Sequence, residues 1–143
     1  VDVYIPADLR QRLASHGALS ERIVLIEGSS LAAETIAAVK NVVGACREVL
    51  VILDSHHSHE HVLAELRYYS PLVGKGHYLV CSDTVIEYLP ADAHRPRPWG
   101  PGNSPATARD VFLKETDRFS VDGEVDRKLL FTCNPGGYLR CDR

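Results

Sequence analysis

The apolar positions of this chain fall into short unbroken runs separated by stripes at helical spacing. Residues 49–53 (VLVIL) are apolar without a break and pass directly into Asp54. The polar cluster Ser55, His56, His57, Ser58, His59, Glu60 and His61 follows. A short, β-branched, unalternating run predicts a strand covered on both faces, as in a parallel sheet. The run at residues 77–81 repeats the pattern and ends in Ser82 and Asp83. Ligands of open α/β sheets sit at the carboxyl ends of the strands. Asp54, Asp83 and the histidines therefore stand where chemistry is usually done.

The rest of the pattern extends the same architecture. Residues 1–5 (VDVYI) predict a strand with Asp2 near its end, stopped by Pro6. Residues 7–16 predict a short helix, with Leu9 and Leu13 on one face and Gly17 as its C-cap. Residues 22–27 (RIVLIE) predict another buried strand, followed by Gly28, Ser29 and Ser30. Ser30 is suited to cap a helix reaching about Val43, whose Ile36, Val39 and Val43 share a face. A helix over residues 60–70 turns Val62, Leu63, Leu66 and Tyr69 inward. Ser104 and Pro105 read as cap and first residue of a helix to about Glu115, with Val111 and Phe112 inward. Residues 118–121 and 128–133 predict a closing pair of strands. Residues 134–137 (NPGG) predict a turn, and residues 138–141 a last short strand. This order predicts an α/β three-layer sandwich with a mostly parallel sheet, in one domain over residues 1–143.

Composition narrows the class. The chain has 143 residues, 45% hydrophobic and 24% charged, as in ordinary globular domains. A net charge of −3 argues against a general nucleic-acid binder. No apolar run approaches the roughly 18 residues of a membrane span. The four cysteines form no CxxC pair, and Cys81 and Cys133 lie in apolar runs, so reduced core thiols and a cytoplasmic location are expected. No methionine occurs, even at position 1, so the chain is expected to be a fragment or to lack upstream residues. Residues 90–105 break the pattern: they hold five of the eight prolines and the only tryptophan, Trp99, with Arg95 and Arg97. A long proline-stiffened loop with such residues reads as functional.

Three sets of residues can carry chemistry. Asp54 and Asp83, from adjacent strand ends, can share a divalent ion, with Mg²⁺ or Mn²⁺ suiting such oxygen donors better than zinc. The bland alternative is that each caps the helix or turn after it. Among the histidines, one can act as a general base, or two can bind zinc or iron. His57, three residues beyond Asp54, is best placed for the strand end, whereas His59 and His61 read as a solvated helix start. Gly28, Ser29 and Ser30 let a backbone approach a ligand, and Asp2 can accept from ribose hydroxyls as in nucleotide-binding sheets.

Taken together, these stretches resemble one family. The run LDSHHSHEHVLAELRYYSPLVGKGHYLVCSDTV, then RPWGPGNSP, then LLFTCNPGGYLR, is similar to the cephalosporin hydroxylase family. The D-S-x-H-x-x-x-H-V-x-x-E-L and RPWGPGN stretches are the specific part, and IEGSS and VDV match the family's third and second strand ends. Despite the name, its characterised members resemble S-adenosylmethionine-dependent O-methyltransferases of antibiotics and of sugars such as rhamnose. The resemblance implies a class I methyltransferase (Rossmann-like) fold whose first strand and glycine-rich turn would precede Val1. It implies that Asp2 holds the cofactor ribose and that Gly28, Ser29 and Ser30 line the adenine, with Asp54 also at the cofactor. Asp54 and Asp83 would hold Mg²⁺, and His57 falls where related catechol-type enzymes place a lysine base. Where that site usually has another acidic or amide ligand beside Asp83, this chain has Ser82 and Thr84. The implied partner is a small-molecule acceptor, a sugar or natural product, and because the family often assembles, a homo-oligomer is among the expectations. Two competing expectations stand beside this one: a metal-dependent hydroxylase or hydrolase built on the His56–His61 cluster, and a non-catalytic fragment.

Overall fold

A computed structural model describes residues 1–90 and 96–143. The chain divides into two compact units, residues Val1–Ala45 and Cys46–Arg143. In the first unit, helix α1 spans Ala7–Ala14 and helix α2 spans Ala33–Val43, with a 3₁₀ segment at Gly17–Arg22 between them. The expected strands at residues 1–5 and 22–27 shrink to one parallel bridge, Asp2 to Glu27. It rests on two backbone bonds, Asp2 N–H to the Ile26 carbonyl at 3.1 Å and Gly28 N–H to the Asp2 carbonyl at 2.8 Å. Pro6 lacks the N–H that a longer ladder would need. Ala32, not Ser30, sits at the N-cap of α2, and no side chain caps it.

The second unit carries a mixed four-stranded sheet. Its strands are β1 (Val51–Leu53), β2 (Tyr78–Cys81), β3 (Phe119–Val121) and β4 (Tyr138–Cys141), in the order β1-β2-β4-β3. The first pair is parallel, Val51 opposite Leu79 and Leu53 opposite Cys81. The other two pairs are antiparallel, so the sheet is less parallel than the chain order suggests. Within its unit β1 is an edge strand: Leu53 is buried, but Ile52 is 61% exposed. Helix α3 (His59–Tyr69) packs on β1 and against α4 (Pro105–Glu115), which also meets β2. The expected inward residues of α3, Val62, Leu63, Leu66 and Tyr69, are all buried. Ser104 caps α4 as expected, in a reciprocal capping box with Thr107. Phe112 is buried while Val111 is only half-buried.

One expected strand is a helix. Residues 128–133 do not pair; helix α5 spans Gly123–Leu129 instead. Asp122 is the reason. Its carboxylate caps the Glu124 N–H at 3.0 Å and accepts from the Tyr78 hydroxyl at 2.6 Å, so the Asp122-Gly123 pair starts a helix rather than turning a hairpin. Leu130 then leaves the helix at φ 61° and stands 93% exposed, with Phe131 86% exposed. All four cysteines are free thiols. Cys81 is in the core, where burial pushes its thiol up to about 12, but Cys133 is exposed, contrary to the core position expected. No helix among the described residues is long and apolar enough to cross a membrane.

The tightest joint in this sheet lies where β4 enters it. The Cys81 N–H donates to the Gly137 carbonyl at 2.8 Å, and a Cβ on Gly137 would overlap the Cys81 carbonyl oxygen. Gly137→Ala must therefore push β4 off β2. The expected loss is about 2–3 kcal/mol, as for other overpacked sites, read as a lower denaturant midpoint. An unchanged midpoint would contradict this packing.

Candidate functional site

The parallel register places the site. Leu53 pairs with Cys81, and the Ser82 N–H donates to the Leu53 carbonyl at 3.0 Å, so Asp54 and Asp83 leave adjacent strands side by side. Asp54 is exposed on the turn that leads to α3. Asp83 sits at φ 54°, a left-handed conformation that aspartate and asparagine tolerate better than most residues. The turn at residues 134–137 holds it there. The Asp83 N–H donates to Asn134 Oδ1 at 2.8 Å, and the next residue, Thr84, donates its hydroxyl to the Pro135 carbonyl at 2.9 Å.

His57 completes the group. Its Nε2 lies 3.4 Å from Asp83 Oδ2. One ligand atom from each of Asp54, His57 and Asp83 falls within 4.8 Å of the other two. Six donors at 2.0–2.1 Å around an ion stand about 2.9 Å apart as neighbours and about 4.2 Å apart across it. The trio therefore fits a divalent cation after a small closure. Its two carboxylates suit Mg²⁺ or Mn²⁺, and an imidazole donor would admit softer first-row ions as well. Among the described residues no other group of three such ligand atoms lies this close together.

The remaining histidines of the cluster are half-buried, and each has a polar partner. His59 Nδ1 meets the Thr107 hydroxyl at 2.8 Å, and the His59 N–H donates to Asn103 Oδ1 at 2.9 Å. His61 Nε2 lies 3.1 Å from Ser55 Oγ. The solvated reading of His59 and His61 is thus corrected. His56 Nδ1 faces the Ser58 hydroxyl at 3.0 Å. Burial, then the nearby His61 and His57 rings, hold His56 below the ordinary histidine range.

The proline-rich loop brings Trp99 to this place. The indole stands edge-on to His57 at 5.1 Å and to His56 at 4.8 Å, with the Arg97 guanidinium 5.2 Å from its centroid. Glu87 pins the loop: its carboxylate accepts from the Gly102 N–H at 2.9 Å and from the Ser104 hydroxyl at 2.6 Å. Trp99 and Arg97 stand out in the sequence, while Arg95 lies outside the described residues. Glu87 and Asn134 do not stand out there.

In the first unit, Asp2 and the Gly28–Ser30 turn are neighbours through the single bridge. Asp2 Oδ1 accepts from the Tyr4 N–H at 3.1 Å, a local turn. Gly28 has φ 156°, and a Cβ there would meet Thr35 Oγ1 at 2.5 Å, so the turn presses its backbone on α2. Ser29 Oγ accepts from the Leu31 N–H at 3.3 Å. Glu27, unremarked in the sequence, bonds the Ile5 N–H and Arg10, and both contacts hold its carboxyl below the usual range.

Comparison with known proteins agrees with the motifs. The family model described as rhamnosyl O-methyltransferase/CmcI matches residues 1–141. The rhamnosyl O-methyltransferases of Mycobacterium bovis (strain BCG / Pasteur 1173P2) and Mycobacterium tuberculosis (strain ATCC 25618 / H37Rv) are each 35% identical over 136 residues, covering 87% of this chain and 52% of theirs. That of Mycobacterium leprae (strain TN) is 31% identical over 139 residues, 94% of this chain and 57% of its own. The chain thus spans about half the length of these relatives. No solved structure matches it. The match across nearly all its residues makes the chain a member of the rhamnosyl O-methyltransferase/CmcI family, the cephalosporin hydroxylase family that its motifs resemble.

Proposed function

We propose that this chain belongs to an S-adenosylmethionine-dependent O-methyltransferase that methylates a hydroxyl of a small molecule, a sugar or natural product. The observation that carries the reading is the convergence of Asp54, His57 and Asp83 at two adjacent strand ends, in a chain of a family named for O-methyl transfer. In this reading both units belong to one domain of the class I methyltransferase type. Asp2 and the Gly28–Ser30 turn bind the ribose and adenine of the cofactor, and Asp54 also contacts it. A cytoplasmic location and a homo-oligomer belong to the same reading.

Each residue then has a role. S-adenosylmethionine supplies an electrophilic methyl group when bound. Asp54 and Asp83 would hold Mg²⁺, whose chemistry when bound is to lower the pKa of the acceptor hydroxyl. His57 Nε2 takes the acceptor proton, and Asp83 at 3.4 Å stabilises the imidazolium that results. Trp99 stands edge-on to the imidazole, with Arg97 over its indole, and limits the poses open to the acceptor, so positioning contributes to the rate. A second reading follows from the same geometry. If His57 is a third ligand, the ion is a transition metal and the proton acceptor lies elsewhere.

Two substitutions test this in the intact protein. Asp83→Asn keeps the size and the left-handed backbone of the position. Methyl transfer is expected to fall by at least about 100-fold, the scale of losing a group that organises metal and base together, with S-adenosylmethionine affinity nearly intact. Exhaustive chelation with EDTA should abolish turnover and Mg²⁺ should restore it. Activity that survives chelation rules out the metal role, and restoration by Fe²⁺ or Zn²⁺ but not Mg²⁺ favours His57 as ligand.

Asp2→Ala tests the cofactor assignment separately. Loss of a charge-assisted hydrogen bond should weaken S-adenosylmethionine binding by roughly 1.5–3 kcal/mol, measured by calorimetry. Unchanged affinity would move the ribose contact away from Asp2.

A further inference from the structure

The motif D-S-x-H-x-x-x-H-V-x-x-E-L contains three polar residues that the methyl-transfer reading leaves unused, namely Ser55, His61 and Glu65. They meet in space. Glu65 lies on the inner face of α3 and is only 2% exposed. Its Oε1 accepts from the Ser55 hydroxyl at 2.7 Å. His61 Nε2 lies 3.1 Å from Ser55 Oγ and 3.4 Å from the same Glu65 oxygen. Ser55 has a single hydroxyl proton and it is committed to Glu65, so its oxygen must accept, and His61 carries its proton on Nε2. The chain of donors runs from His61 to Ser55 to Glu65.

This arrangement costs the fold free energy. The other oxygen, Glu65 Oε2, is buried with no hydrogen-bond partner among the described residues. A buried carboxyl with an unpaired oxygen is destabilising relative to an apolar side chain of similar volume. Packing alone therefore does not account for a glutamate at this position. What it does provide is a fixed point. Ser55 directly follows Asp54, and the His61 ring lies 5.2 Å from His56. His56 in turn stands against Trp99, whose indole also meets His57. The buried carboxylate thus connects by direct contacts to the turn bearing Asp54 and to the ring that faces His57.

We infer that Glu65 is a positioning residue, which through Ser55 and His61 fixes the turn of residues 54–57 and the His56 and His57 rings against Trp99. The inference deepens the proposed function and rests on it, since it gives the arrangement of Asp54 and His57 a cause, and it has a readout that needs neither metal nor cofactor. Trp99 is the chain's single tryptophan. Its emission reports directly on the histidines around it.

Two variants break the connection at different points. Ser55→Ala changes an exposed turn residue and removes the hydroxyl that donates to the buried Glu65 carboxyl. Glu65→Leu replaces the buried carboxyl by an apolar side chain of similar volume, a change that often leaves a fold as stable or more so. Leu66→Ala, a fully buried neighbour on the same helix, serves as the control that destabilises without touching the three residues. In folded protein, Ser55→Ala and Glu65→Leu should both red-shift the Trp99 emission and steepen its quenching by iodide. Leu66→Ala should lower the unfolding temperature yet keep native emission. In the intact enzyme the two variants should lower kcat more than the Leu66→Ala control does. Native emission in both variants overturns the inference, whatever the activity. Emission that shifts in a protein whose wild type transfers no methyl group would retain the positioning role and remove only the functional reading above it.

Discussion

The parallel pairing of Leu53 with Cys81 is the constraint on which the site depends. Two strands that run the same way end on the same side, so whatever follows each of them is delivered to one place. Here those residues are Asp54 and Asp83. A single backbone bond from Ser82 to the Leu53 carbonyl fixes how far each strand runs before it turns. One step of register would flip Asp54 or Asp83 to the other face of the sheet. Three further features hold this endpoint: the Asn134 amide under Asp83, the close approach of Gly137 to Cys81, and α3 packed on β1 with its Val62, Leu63 and Leu66 side chains.

A second layer of organisation comes from the loop of residues 96–103. Glu87 draws the loop in through Gly102 and Ser104, and Asn103 joins it to the start of α3 by accepting from His59. Trp99 is thereby placed against two histidines that belong to a different segment. The site is therefore assembled from three stretches far apart in sequence, the end of β1, the end of β2 and this loop. The turn at residues 134–137 braces it from below.

The parts visible in the sequence are those that depend on local pattern. The buried face of α3, the Ser104-Pro105 start of α4 and the aspartates at two strand ends all follow from spacing and capping chemistry. The trio Asp54, His57 and Asp83 is legible for the same reason, because strand ends are where a parallel pair converges. The failures share a different cause. Residues 128–133 carry an apolar run that reads as a strand, but Asp122, held by Tyr78 from across the sheet, starts a helix in its place. Ser30 has good capping chemistry, yet α2 begins after Ala32. His59 and His61 look solvated in the sequence because their partners, Thr107 and Ser55, are brought to them by tertiary structure. The family motif marks Glu65, but only its burial shows that it anchors a turn.

The metal role proposed for Asp54 and Asp83 requires that the two strand ends converge to hold a divalent ion. Mn²⁺ soaked into crystals of the intact protein probes this without regard to activity, because anomalous scattering locates the ion itself. The expected result is a peak within bonding distance of both the Asp54 and Asp83 carboxylates, and the distance to His57 Nε2 then decides whether that ring is base or ligand. A peak bound elsewhere, or no peak while Asp54 and Asp83 face only solvent, would contradict the convergence as a metal site.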